Sequence, residues 1–75
     1  EERALATPVQ APMVGKILQV LVNVGDEVAE DDPVVVMEAM KMEINVVAPV
    51  SGRVVEVRVA PGDAVETDQV LALIE

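Results

Sequence analysis

Apolar and polar residues alternate along most of this 75-residue chain, in short runs separated by Gly, Pro, Asn and Asp. A period of two is typical of strands with one buried face, so the pattern predicts an all-β fold. One small domain is expected at this length. The runs predict eight strands: Val9 to Ala11, Lys16 to Val22, Glu27 to Ala29, Pro33 to Glu38, Met42 to Ala48, Arg53 to Val59, Ala64 to Glu66 and Val70 to Glu75.

The two longest alternating runs predict which side chains face the core. Three residues of each run are predicted to point inward: Leu18, Val20 and Val22 in the second strand, and Val55, Val57 and Val59 in the sixth. The polar residues between them are predicted to face water: Gln19, Glu56 and Arg58. This assignment assumes an unbroken alternation along each strand.

The chain contains an internal repeat. Residues 11–38 align with residues 48–75 without a gap, at an offset of 37 positions, and ten of the 28 pairs are identical. The identical pairs include both Ala-Pro steps, both Gly-Asp steps and alternating valines, which are residues that set turns and strand faces. Two equivalent halves of four strands predict a flattened barrel or sandwich with approximate two-fold symmetry.

The amino-acid composition argues against several classes of function. The chain has no His, Cys or Tyr, so the usual nucleophile–base pairs are missing and a non-catalytic domain is expected. The net charge of −9 and the absence of aromatic residues argue against nucleic-acid binding. The apolar runs fall far short of the roughly 20 residues that cross a bilayer, so direct membrane insertion is not expected.

An acidic cluster invites a calcium-site hypothesis, which its spacing does not favour. It consists of Asp26, Glu27, Glu30, Asp31 and Asp32. The cluster lacks the ligand spacing of an EF-hand loop. Acidic residues recur in the second half at Asp63, Glu66 and Asp68, as turn and edge charges would. We therefore interpret the cluster as turn charges and predict no metal site.

Four glycines recur as symmetric pairs. They are Gly15 with Gly52 and Gly25 with Gly62. Glycine adopts positive φ without steric cost, and turns often require it. All four are therefore predicted to be structural turn glycines with positive φ.

The link between the two halves breaks a turn rule. Ala39, Met40, Lys41 and Met42 occupy a predicted hairpin tip without Asn-Gly or Asp-Gly, although both central residues of a two-residue turn need φ > 0. Left-handed non-Gly residues cost about 1 kcal/mol each. Lys41 is one of two lysines and, unlike Lys16, has no counterpart in the repeat. A broken local rule is where function is expected.

The sequence around this lysine resembles a known family. Glu38-Ala39-Met40-Lys41-Met42, continuing as Glu43-Ile44, is similar to the biotinylation motif of biotin carboxyl carrier domains in the biotinyl/lipoyl-attachment superfamily. Ala11 to Gly15 and Ala48 to Gly52 also resemble turns of that family. The resemblance covers about residues 8–75, which leaves residues 1–7 as the expected remnant of an N-terminal linker.

The resemblance implies a fold, a cofactor and partners. The fold would be a flattened barrel of two four-stranded antiparallel sheets, with Lys41 exposed at a hairpin tip and covalently biotinylated by a biotin protein ligase. Glu38, Ala39, Met40, Met42 and Glu43 would serve recognition by the ligase and other partners. The domain would carry a carboxyl group from a biotin carboxylase to a carboxyltransferase, in the cytoplasm or, in a eukaryote, the mitochondrial matrix.

The type of parent enzyme is narrowed by one departure from the family pattern. Some bacterial acetyl-CoA carboxylase carriers have a protruding thumb inserted in one half, whereas the two halves here align without a gap. The resemblance therefore favours a multidomain acyl-CoA or pyruvate carboxylase, or a decarboxylase complex.

Two alternatives stay open at the level of sequence. A lipoyl domain of a 2-oxo acid dehydrogenase complex has the same implied fold, but usually carries Asp-Lys-Ala where this chain has Met40-Lys41-Met42. An unmodified barrel-sandwich interaction module is the second alternative, and it would bear no prosthetic group.

Overall fold

Eight β-strands make up the regular secondary structure of residues 6–75, the part of the chain described by this computed structural model. They are β1 (Thr7–Gln10), β2 (Gly15–Val20), β3 (Glu27–Val28), β4 (Pro33–Ala39), β5 (Met42–Val47), β6 (Gly52–Val57), β7 (Ala64–Val65) and β8 (Val70–Ile74). All eight predicted strands are present; six are one residue shorter than predicted, and the first and fourth are one residue longer. β1 begins at Thr7, one residue before the predicted domain start, and residues 1–5 of the predicted linker lie outside the described residues.

The strands form two four-stranded sheets of antiparallel pairs. Their orders are β1-β8-β6-β3 and β5-β4-β2-β7. Adding 37 to the residue numbers of β1, β2, β3 and β4 gives those of β5, β6, β7 and β8 to within two residues, so the repeat converts one sheet order into the other. The predicted all-β flattened barrel, with two four-stranded antiparallel sheets and internal two-fold pseudo-symmetry, is confirmed.

A β-bulge at equivalent places in both halves corrects the predicted strand faces. The pairing register shifts between Ile17 and Gln19 in β2, and between Val54 and Glu56 in β6. A bulge adds one residue to a strand and so reverses the phase of the alternation. Ile17 and Val54 are consequently fully buried, whereas Leu18 is 39% exposed. The inward prediction is wrong for Leu18 and for half-buried Val55; beyond the bulge Val22 and Val59 are buried as predicted.

The core lies between the two sheets and is entirely apolar. Among residues 6–75, no buried side chain is polar or charged. The largest fully buried side chains are Ile17, Met37, Leu71, Ile74, Val9, Val34, Val35 and Val54, which come from both halves. The polar side chains Gln19, Glu56 and Arg58 are exposed as predicted.

The predicted turn glycines divide into two kinds. Gly25 and Gly62 have φ of 98° and 96°, as predicted. Gly15 and Gly52 do not have positive φ, so the prediction is wrong for this pair. They begin β2 and β6, where an added Cβ would overlap the carbonyl oxygen of Glu38 or Glu75. Close approach of two strands, and not turn conformation, therefore requires these two glycines.

The acidic residues of the first half stabilise turns. The Asp26 carboxylate accepts a hydrogen bond from the backbone N–H of Asn23 at 2.9 Å, and the Asp32 carboxylate accepts one from Ala29 at 2.9 Å. Asp63 repeats the arrangement in the second half with Ala60. These contacts support the interpretation of the cluster as turn charges.

Two aspartates adopt a backbone conformation that favours glycine. Asp31 and its repeat equivalent Asp68 have φ of 75° and 67°. We expect Asp31→Gly and Asp68→Gly each to raise the free energy of unfolding by about 0.5–1 kcal/mol, because glycine has no Cβ to strain there. Urea unfolding measures the gain. Asp26→Gly is the control: it removes an accepting carboxylate and should destabilise, so a gain there too would contradict the explanation.

Candidate functional site

The hairpin between β4 and β5 has a two-residue turn made of Met40 and Lys41. Ala39 and Met42 form the last cross-strand pair, and Met40 and Lys41 have φ of 52° and 65°. Positive φ at both central residues is the signature of a type I′ turn, which normally selects Asn-Gly. The turn conformation predicted from the sequence is therefore present, and two residues with Cβ atoms adopt it.

The hairpin combines an exposed tip with a buried base. Met40 and Met42 are 82% and 66% exposed, and Lys41 between them is also exposed. Met37 and Ala39, just before the turn, are 0% and 3% exposed. Large apolar side chains in water gain nothing for folding, so the contrast points to a surface that another molecule covers.

Charged side chains lie on the outer face of the same hairpin. Glu38 pairs with Glu43 across β4 and β5, and with Lys16 across β2 and β4. Cross-strand partners project from the same face of a sheet, so the two exposed glutamates lie side by side. Like charges directly opposite each other are unfavourable in a sheet, so the Glu38–Glu43 pair does not itself stabilise the hairpin.

The hairpin brings together all six residues singled out from the sequence. Lys41, Met40 and Met42 form the exposed tip, and Glu38 and Glu43 lie beneath it on the outer face. Ala39 differs, because its side chain is buried and helps to anchor the base of the hairpin. The sequence interpretation missed that Gly15 packs against this base, although the recurrence of this glycine as Gly52 is a signal that its position matters.

Metal-ligating clusters and membrane-spanning helices are absent from the described residues. Among residues 6–75, no group of three or more His, Cys, Asp or Glu side chains is placed to hold a metal ion. The same residues include no helix, and hence none long and apolar enough to cross a membrane. Lys41 is the candidate that the geometry of the hairpin singles out, through its exposure and its position in the turn.

A family model described as "Biotin-requiring enzyme" matches residues 7–74. The chain belongs to the family of biotin-requiring enzymes. It is a non-catalytic biotin carrier domain of that family, and biotin is its covalently bound cofactor. The match covers nearly the whole described fold and includes both repeats.

Several curated relatives of this carrier domain are also named for biotin or for a carboxylase. A biotin carboxyl carrier protein of Streptococcus mutans is 57% identical over 42 residues, which cover 56% of this chain and 32% of that protein. The biotinylated protein TB7.3 of Mycobacterium tuberculosis is 46% identical over 43 residues, covering 57% of this chain and 61% of that protein. A third relative is the methylcrotonoyl-CoA carboxylase subunit alpha of Dictyostelium discoideum, which is mitochondrial by name. It is 61% identical over 33 residues, covering 44% of this chain and 5% of that protein.

Solved structures extend the similarity to the complete domain. Urea carboxylase of Kluyveromyces lactis contains a similar fold, with a TM-score of 0.92 and 33% identity over 100% of this chain and 7% of that one. A single-chain, multi-domain long-chain acyl-CoA carboxylase also contains a similar fold. Its TM-score is 0.89 and its identity is 32%, over 97% of this chain and 7% of that one. The chain thus spans about a third of the first relative and a small part of these carboxylases.

Proposed function

We propose that Lys41 is the residue to which this carrier domain attaches biotin. The observation that carries the proposal is the position of Lys41 in a two-residue turn, exposed and flanked by exposed Met40 and Met42. Biotin bears a carboxyl group, which forms an amide with a primary amine, and an exposed lysine at a tip fits that requirement. Lys16 is exposed too, but it lies within β2 between two strands of its sheet and not at a tip.

The residues around Lys41 have separable roles in this proposal. Met40 and Met42 offer soft apolar contacts to a biotin protein ligase and later partners. Glu38 and Glu43 supply negative charge below the tip, which favours a basic surface on the partner. Ala39 and Met37 anchor the hairpin in the core, so that the tip is presented in one orientation.

The domain would act as a carrier between two enzyme active sites. Bound biotin supplies a nitrogen atom that holds a carboxyl group during its transfer. The chain's own contribution is presentation: a stable barrel holds the attachment lysine clear of the core, and tethering raises its effective concentration at each site. A biotin carboxylase and a carboxyltransferase are the partners we propose, because the similar structures are carboxylases.

The parent enzyme is proposed to be a carboxylase of the acyl-CoA or pyruvate type, or a related decarboxylase. The β2–β3 and β6–β7 connections span residues 21–26 and 58–63, which are equally long, so neither half carries an inserted thumb. The cytoplasm, or the mitochondrial matrix in a eukaryote, is the proposed compartment. A relative named as mitochondrial supports the second location.

Ligase specificity tests the proposal directly. We expect one biotinyl group on the purified domain after incubation with biotin protein ligase, biotin and ATP, as measured by intact mass. Incubation with a lipoate ligase, lipoate and ATP should leave the mass unchanged, because the Met40 and Met42 flanks replace the lipoyl-type pattern. Modification by the lipoate ligase alone would favour a lipoyl domain, and modification by neither would favour an interaction module.

A further inference from the structure

Gly15 lies directly against the base of the hairpin that carries Lys41. It begins β2, and a Cβ added there would overlap the Glu38 carbonyl oxygen and lie 2.6 Å from the Met37 Cε and 3.2 Å from the Ala39 Cβ. All three neighbours belong to the last three residues of β4. Since Gly15 has no positive φ, close approach to β4 explains the glycine.

A larger residue at this position would clash with neighbours that cannot easily move aside. Met37 is fully buried, so its side chain has no open space to turn into, and the Glu38 contact is to backbone. Backbone relief therefore requires the start of β2 and the end of β4 to move apart, and we expect the end of β4 to take part in this movement. Ala39 pairs with Met42 across the turn, so such a movement carries Met40 and Lys41 with it.

We propose that Gly15 is a positioning residue for the modification of Lys41. It permits β2 to approach the last residues of β4, and this contact sets the orientation in which the two-residue turn presents the lysine to the ligase. Gly15 touches neither Lys41 nor its partners in this proposal and acts only through Glu38 and Ala39. The inference rests on the proposed attachment of biotin at Lys41.

The internal repeat provides a matched control at Gly52. A Cβ added at Gly52 would overlap the Glu75 carbonyl oxygen and lie 2.9 Å from the Ile74 Cγ2, which is the same kind of contact in the other half. Gly52 begins β6, and Glu75 is equivalent to Glu38 under the repeat. The two sites differ in their relation to the hairpin tip. β4 continues directly into the Met40–Lys41 turn, whereas Glu75 is remote from that turn in sequence and belongs to the other half.

The experiment compares Gly15→Ala with Gly52→Ala in the intact domain. We expect both variants to lose stability to urea, since each creates a clash with a backbone carbonyl oxygen. At a temperature where both are folded, Gly15→Ala should lose about 10- to 100-fold in kcat/KM for biotinylation by the ligase, the range that small misplacements of a reacting group produce. Gly52→Ala should stay within about twofold of the parent, because the clash lies away from the hairpin.

A second measurement does not depend on the ligase. Backbone amide chemical shifts of Met40, Lys41 and Met42 should change in Gly15→Ala and remain unchanged in Gly52→Ala. If either variant fails to fold, both are repeated in the Asp31→Gly, Asp68→Gly background, which we expect to be more stable. Equal biotinylation and unshifted tip amides in the two variants would overturn the positioning role. Failure of the parent domain to accept biotin would instead overturn the proposed function and leave the amide comparison valid.

Discussion

Replacing Lys41 by Arg is expected to abolish biotin incorporation completely. Arginine keeps the positive charge and the approximate length of the side chain, but its guanidinium does not provide the primary amine that forms the biotinyl amide. The turn should persist, because neither lysine nor arginine is favoured over the other at positive φ. Intact mass after incubation with ligase, biotin and ATP measures the outcome, and streptavidin binding provides an independent readout.

Lys16→Arg is the matched control for this loss. Lys16 is the only other lysine of the chain, and it lies on the strand that neighbours the hairpin, opposite Glu38. Biotin incorporation should be retained in Lys16→Arg, since the charge opposite Glu38 is preserved. Incorporation of biotin in Lys41→Arg, or its loss in Lys16→Arg alone, would indicate that Lys16 in β2 is the attachment site.

The two-fold symmetry of the fold could be predicted because the chain repeats itself. The offset that superimposes Gly25-Asp26 on Gly62-Asp63 also superimposes the strands, and it exchanges the two sheets of the structure. Turn residues and alternation are local signals, whereas sheet order is not. The repeat supplied the long-range information, since equivalent halves with equal connections restrict how eight strands can pair.

The errors fall where one sequence signal has two physical explanations. Glycine satisfies either a positive φ or a close approach, and only the backbone shows that Gly25 is the first case and Gly15 the second. Alternation also fails at the bulge, because one extra residue reverses the phase without a distinctive residue type. Ile17 and Leu18 are both large and apolar, so nothing in their identities indicates which one is buried.

The candidate site could be predicted because its residues conflict with the local turn preferences. Met40 and Lys41 contradict the residue preferences of the turn that their position requires, and the structure has them at positive φ. Exposure of Met40 and Met42 then separates them from Met37, which has the same residue type and is buried. The sequence indicated that distinction, because Met40 and Met42 flank the predicted tip whereas Met37 lies within a predicted strand.

Restoring the preferred turn residues should stabilise the domain while removing its modification. In a double variant, Met40→Asn with Lys41→Gly, the type I′ turn gains the Asn-Gly pair that it normally selects. Relief of left-handed strain at two residues should raise the free energy of unfolding by about 1–2 kcal/mol. Urea unfolding measures this as a higher midpoint with an unchanged slope, since the surface exposed on unfolding is nearly the same.

The single variant Met40→Asn separates the two effects. It retains Lys41, so the domain should still accept biotin, and about half of the stability gain should remain because one left-handed residue is relieved. Substituting Asn at Met42 is the control, since Met42 lies in β5 without positive φ and should show no gain. If the double variant were no more stable than the parent, the turn would bear no strain, and Met40 and Lys41 would be ordinary turn residues whose conformation says nothing about function. A gain confined to the turn, together with loss of biotinylation in the double variant, would instead show that the residue able to accept biotin occupies a position where glycine is more stable.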